Sequence, residues 1–97
     1  MKALRFDWGP KKAKANLKNH GVSFEEAQST FYDEWAILYD DPDHSTDEDR
    51  FLLLGMSVRL RTLIVSHCYR ESESVIRLIS ARKAHSEEEK EYLKVRK

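Results

Sequence analysis

At 97 residues, the chain is the size of one small domain with a thin core, and no part of it reads as a second domain, so residues 1–97 are taken as a single unit. Charged residues make up 35% and hydrophobic ones 40%, a polar balance that still carries too many aromatic and β-branched side chains for disorder. A lone cysteine, Cys68, rules out an internal disulfide framework, and no apolar run approaches the roughly 18 residues of a membrane span. Charges at Lys2, Arg5 and Asp7 argue against an export signal, so a cytoplasmic protein with no membrane contact is expected.

Net charge is zero, but it is distributed unevenly. Met1 to His20 carries six Lys/Arg against one acid, Gly21 to Asp49 none against ten, Arg50 to Arg70 four against none, and the remainder seven against six. A neutral chain can therefore present a basic face to nucleic acid, although the same blocks are equally consistent with solvated surfaces.

In chain order, Leu4 to Asp7 reads as a strand stopped by Gly9-Pro10, and Pro10 suits the first position of a helix running to His20. Ala13, Leu17 and His20 form that helix's apolar stripe, with Gly21 as its left-handed cap. Ser23 and Glu26 form an S-x-x-E capping box for a second helix burying Phe24, Ala27 and Phe31. The period then changes to two. Trp35, Ile37 and Tyr39 alternate; the acidic segment Asp40 to Asp49 is turn-rich; and Phe51 to Leu54 is continuously apolar, as in a central strand. Strands over Thr62 to Tyr69 and Val75 to Ser80 follow, with His67 and Tyr69 sharing one face of the first, and Val75, Arg77 and Ile79 one face of the second. Ser86 and Glu89 form a further capping box for a C-terminal helix. The order βααββββα predicts an α+β domain with the helices on one face of an antiparallel sheet.

No Gly-rich phosphate loop, paired-cysteine zinc pattern or H-E-x-x-H is present, so neither a cofactor nor a metal is expected. Asp41, Asp43 and Ser45 have the spacing of the start of a calcium loop, but Thr46 replaces the required glycine and the closing glutamate is missing, which leaves turn chemistry. Two constellations remain. Lys12, Asn16 and His20 fall at i, i+4 and i+8 and so form a polar ridge on the first helix, consistent with a site or with a solvent-facing stripe. Arg77, Arg82, Glu88 and Tyr92 span the last strand and last helix; an arginine on an apolar strand face needs a ligand or an acid, so a site and an internal salt bridge both fit.

The segments Phe6-Asp7-Trp8-Gly9-Pro10-Lys11-Lys12, Asn16 to Phe24, Glu25-Glu26-Ala27, Asp41-Pro42-Asp43-His44-Ser45, Arg50-Phe51 with Gly55, and Arg77-Leu78-Ile79-Ser80-Ala81-Arg82-Lys83-Ala84, with Glu88 and Tyr92, resemble in order the BrnT toxin family. Gly9 stands where that family usually has Asp, and Asn19 where it usually has Lys or Arg. The resemblance implies a RelE-like fold, a metal-independent endoribonuclease that inhibits translation, and a BrnA-like antitoxin through which alone DNA is contacted. Under that reading the RNA 2′-OH attacks the adjacent phosphate. His20 can act as acid or base near neutral pH, Glu88 or Tyr92 supplies the second proton transfer, and Lys12, Arg77 and Arg82 bind the phosphate. Two other readings stand beside it. One is a non-catalytic module whose acidic segment docks a basic partner; the other is an inactive toxin-like co-repressor acting through its antitoxin.

Overall fold

The computed structural model describes residues 4–41 and 49–96. The elements are β1 (Arg5–Asp7), α1 (Pro10–His20), α2 (Phe24–Ser29), a single 3-10 turn (Thr30–Tyr32), β2 (Ile37–Asp40), β3 (Phe51–Met56), β4 (Thr62–Arg70), β5 (Val75–Lys83) and α3 (Ser86–Val95). The order βααββββα is therefore present, in a single sheet ordered β1-β5-β4-β3-β2. The calcium-like spacing at Asp43, Ser45 and Thr46 lies outside the described residues.

Two features of the expected architecture are corrected. The sheet is mixed rather than antiparallel, because β1 pairs in parallel with β5. Short turns impose antiparallel pairing only on consecutive strands, and β1 joins the sheet beside a strand from the other end of the chain. The helices also occupy both faces. On one face α1 and α2 help cover a core of Val22, Phe24, Ala27, Leu53, Leu63, Val65, Ile76, Leu78 and Ala81. On the other face α3 lays Tyr92 against Leu54 and Ile64. Neighbouring apolar residues such as Leu53-Leu54 and Leu63-Ile64 point to opposite faces of a strand, so this end of the sheet needs cover on both sides.

The helix starts are partly as expected. Ser23 Oγ accepts the Glu26 N–H at 3.0 Å, but the Glu26 carboxylate turns away from the cap to a buried ion pair with Arg61 and a 2.7 Å bond from Ser57 Oγ. This joins the α2 start to the β3–β4 turn. α3 is capped one residue earlier than expected, with His85 as N-cap and its N–H donating to Glu88 Oε1 at 2.7 Å. Glu88 is drawn there because Arg82 holds the same carboxylate. Gly21 ends α1 with φ of 68°, the left-handed conformation anticipated for it.

Candidate active site

Helix α1 does not present the expected faces. Leu17 is 54% exposed, whereas Asn16 is buried. Eight residues of an α-helix turn about 80° beyond two full turns, so Lys12, Asn16 and His20 spiral around the cylinder instead of sharing one face. Lys12 and His20 reach the surface, and Asn16 faces the sheet. The Asn16 carboxamide behaves like a piece of an added strand. Its Oδ1 accepts the Ala81 N–H at 3.0 Å, and its Nδ2 donates to Ala81 O at 2.9 Å and to Val22 O at 2.8 Å. β1 pairs only with Val75 to Arg77, so this amide closes the edge of β5 just where β1 has ended.

A shift of register in β5 decides which side chains face the site. Ser66 pairs with Ser80 but His67 pairs with Leu78, which leaves Ile79 as an extra residue. Before it, Ile76 and Leu78 face the α1–α2 core; after it, Ala81 does. Strict alternation would have sent Ser80 and Arg82 into that core. The bulge instead turns both to the opposite face, beside Ser66 and Ile64, in the way bulges re-aim side chains in sheets.

On that face lies a cavity of about 260 Å³. Leu52, Ile64 and Ile79 form its apolar wall, Ser66 and Ser80 line it, and His20, Asp41, Arg50 and Arg82 supply its ionisable groups. Arg82 is held by a two-pronged ion pair, Nη1 to Glu88 Oε1 at 2.8 Å and Nη2 to Oε2 at 2.9 Å. The guanidinium beside Glu88, and the His85 N–H, bring that carboxyl down to about 2, and the pairing raises Arg82. A separate cavity of about 390 Å³ shares Leu52 and Ile64 with the first and is rimmed by Asp40, Glu87, Glu88 and Glu91. Glu88 thus stands on the wall between a cationic hollow and an acidic one.

The structure brings together His20, Arg82 and Glu88 from the two sequence constellations and separates the others. Arg77 lies on the same sheet face beyond Ile79, where Asp7 Oδ2 accepts from its Nη1 at 2.7 Å; it is not a lining residue of the cavity. Lys12 is exposed on α1, also outside the lining. Tyr92 is corrected outright as a proton-transfer candidate. It is 0% exposed, its hydroxyl donates to Asp33 Oδ2 at 2.6 Å, and burial and Asp33 push it up to about 12. Asp33 also accepts from the Trp35 and Met56 N–H groups, so this is a structural junction. His67 is likewise core, 0% exposed among Phe31, Phe51 and Tyr69, and burial lowers its pKa.

Asp41, Arg50, Ser66 and Ser80 were not among the sequence candidates. Asp41, Arg50 and Ser80 did lie within segments that carried the family resemblance, and Ser66 is a hydroxyl directly after the apolar run Leu63-Ile64-Val65 in a central strand, a pattern that asks for a reason. Among the described residues no group of three or more His, Cys, Asp or Glu is placed to hold a metal ion.

A family model described as the ribonuclease toxin BrnT of a type II toxin–antitoxin system matches residues 8–88, most of the chain. The chain belongs to the BrnT family. It is thus a ribonuclease toxin of a type II toxin–antitoxin system, and an antitoxin is its partner. The matched span takes in α1, the bulged strand and Glu88, and stops short of Tyr92. The fold is also similar to the 1.1 Å crystal structure of the Brucella abortus ribonuclease toxin BrnT, with a TM-score of 0.62 and 20% identity, covering 87% of this chain and 100% of that one. No curated protein matches this BrnT-family chain in sequence. Within the described residues, no helix is long and apolar enough to cross a membrane.

Proposed function

We propose that the cavity behind the β5 bulge is the ribonuclease site, and that it cleaves RNA without a metal ion. The observation that carries this reading is the convergence of His20, Asp41, Arg50 and Arg82 on one hollow of nucleotide-fragment size. The 2′-hydroxyl loses its proton as its oxygen bonds to the adjacent phosphorus; the bond from phosphorus to the 5′-oxygen breaks, and that oxygen takes up a proton. A 2′,3′-cyclic phosphate and a 5′-hydroxyl result. The His20 imidazole, which can both accept and donate a proton, acts in one of the two proton transfers, and Asp41, the carboxylate lining the same cavity, in the other.

Charge building on the non-bridging oxygens calls for oriented cations, which Arg82 and Arg50 supply. Glu88 is a positioning residue. Its low pKa and its two bonds from Arg82 make it a poor proton acceptor and a good anchor for the guanidinium. Arg77 and Lys12 lie outside the hollow and guide the flanking RNA backbone. A BrnA-like, DNA-binding antitoxin in the cytoplasm would inactivate the chain by covering this arginine-bearing face.

The test is cleavage of a model RNA, with thermal unfolding measured alongside. His20→Ala and Arg82→Ala should each lower the rate by roughly 10²–10⁴, with cyclic-phosphate ends appearing in wild-type digests even in EDTA. Variants that melt like wild type and still cut RNA at its rate would remove the cavity from the chemistry.

A further inference from the structure

Ser66 and Ser80 are register partners on adjacent strands, and both line the cavity. Ser66 is only 9% exposed, and neither hydroxyl is hydrogen-bonded to another described residue. Two facing hydroxyls on adjacent strands can bond each other. Here they do not, and since every fully buried side-chain nitrogen or oxygen among the described residues has a partner, both hydroxyls keep surface open to the cavity. The hydroxyls are instead left with unused donors beside Arg82, in the one stretch of β5 where the Ile79 bulge has reversed the side-chain alternation. Turning Ser80 out of the core and opposite Ser66 is a direct product of that bulge.

We infer that the Ser66–Ser80 pair forms the floor of the substrate site and donates hydrogen bonds to the non-bridging oxygens of the scissile phosphodiester, beside Arg82. The inference rests on the proposed cleavage site and adds a second, neutral donor set to it. Arginines attract the diester from any direction, whereas two hydroxyls fixed on neighbouring strands address a particular pair of oxygens. They thereby set which face of the phosphorus is presented to the 2′-hydroxyl. Each bond to an oxygen whose charge grows in the reaction belongs to the transition state more than to the ground state.

The experiment uses Ser66→Ala, Ser80→Ala and the double variant in the full chain, with RNA bearing a single phosphorothioate of defined configuration at the cleaved position. Because neither hydroxyl bonds another described residue, melting temperatures should stay at the wild-type value. Cleavage of ordinary RNA should slow about 10-fold for each single variant, chiefly in kcat. Wild type should prefer one phosphorothioate configuration, and that preference should fall towards unity in the double variant.

A binding measurement covers the case of weak turnover. Affinity for a non-cleavable strand, 2′-deoxy at the scissile nucleotide, should drop about 2-fold in each serine variant at matched salt, the ground-state share of each bond. Wild-type rates, an unchanged configuration preference and unchanged affinity in the double variant would overturn the inference while leaving the cavity as the site. Wild-type rates in Arg82→Ala and His20→Ala would overturn the cavity itself.

Discussion

Replacing Asn16 with alanine removes one exposed-looking polar residue from a lysine-rich helix, and it should be among the most damaging single changes in the chain. The substitution strands three backbone groups: the Ala81 N–H, the Ala81 carbonyl and the Val22 carbonyl, now bonded at 3.0, 2.9 and 2.8 Å. An unsatisfied buried group costs about 1–3 kcal/mol. Water reaching the freed β5 edge offsets part of this, so a loss of about 3 kcal/mol is expected, a large share of the ~5–15 kcal/mol that holds a domain together. At about 4–8 °C per kcal/mol for a chain of this size, the midpoint should fall by roughly 12–24 °C. Urea unfolding gives the free energy, and hydrogen exchange at the Ala81 amide reports the bond directly. Asn16→Asp keeps the acceptor but loses both donated bonds and aims a charge at two carbonyls, so it should be worse than alanine at neutral pH. An alanine variant losing under about 1 kcal/mol, with the Ala81 amide still protected, would refute the role assigned to the carboxamide.

Three other outcomes follow from the same geometry. The Glu88 carboxyl is depressed to about 2 from 4.5, so its stabilisation is complete above about pH 4.5 and is lost as pH falls towards 2. Discounted for its partial exposure, it is worth about 1–2 kcal/mol, and Glu88→Gln should flatten the acid limb of stability measured by urea unfolding at pH 7 and pH 3. Tyr92 is raised to about 12 from 10, so its contribution holds below pH 10 and disappears as pH rises towards 12; burial also raises Tyr39 and Tyr69, so ultraviolet titration should show several late tyrosines, the latest of which is absent in Tyr92→Phe. Gly9 caps α1 with no side-chain bond, and a Cβ there would meet nothing nearer than Arg77 Nη2 at 3.6 Å, so Gly9→Asp should raise stability by a few tenths of a kcal/mol, read as a small increase in melting temperature.

The chain has no net charge and still presents a basic region. Arg77 and Arg82 project from β5 on the sheet face that α1 and α2 leave open, and Arg50 joins Arg82 at the cavity. The acidic residues of β2 and α3 gather instead around the neighbouring hollow. The two charge signs are thus sorted across the width of a single sheet, with the Arg82–Glu88 pair at their boundary.

Local chemistry was enough for the order of the elements, because each signal acts within a few residues: Pro10 and Gly21 bracket α1, Ser23 starts α2, and the change from helical spacing to alternation marks β2 onward. His20, Arg82 and Glu88 could be named as candidates on the same footing, with the family resemblance. What pattern alone could not reach was every feature made by distant backbone. Alternation over β5 breaks at Ile79 only because of how β5 meets β4, so the outward turn of Ser80 and Arg82 has no signature in their own segment. Asn16 becomes a strand-edge partner only because β1 ends at Asp7 and exposes Ala81, 65 residues away in sequence. Tyr92, one turn from Glu88 on α3, is taken out of reach of substrate by Asp33, which the fold alone places beneath it. Short-range preferences decide which residues form helices and strands, whereas register and edge closure are settled by pairing between segments, and it is pairing that determines which side chains reach the cavity.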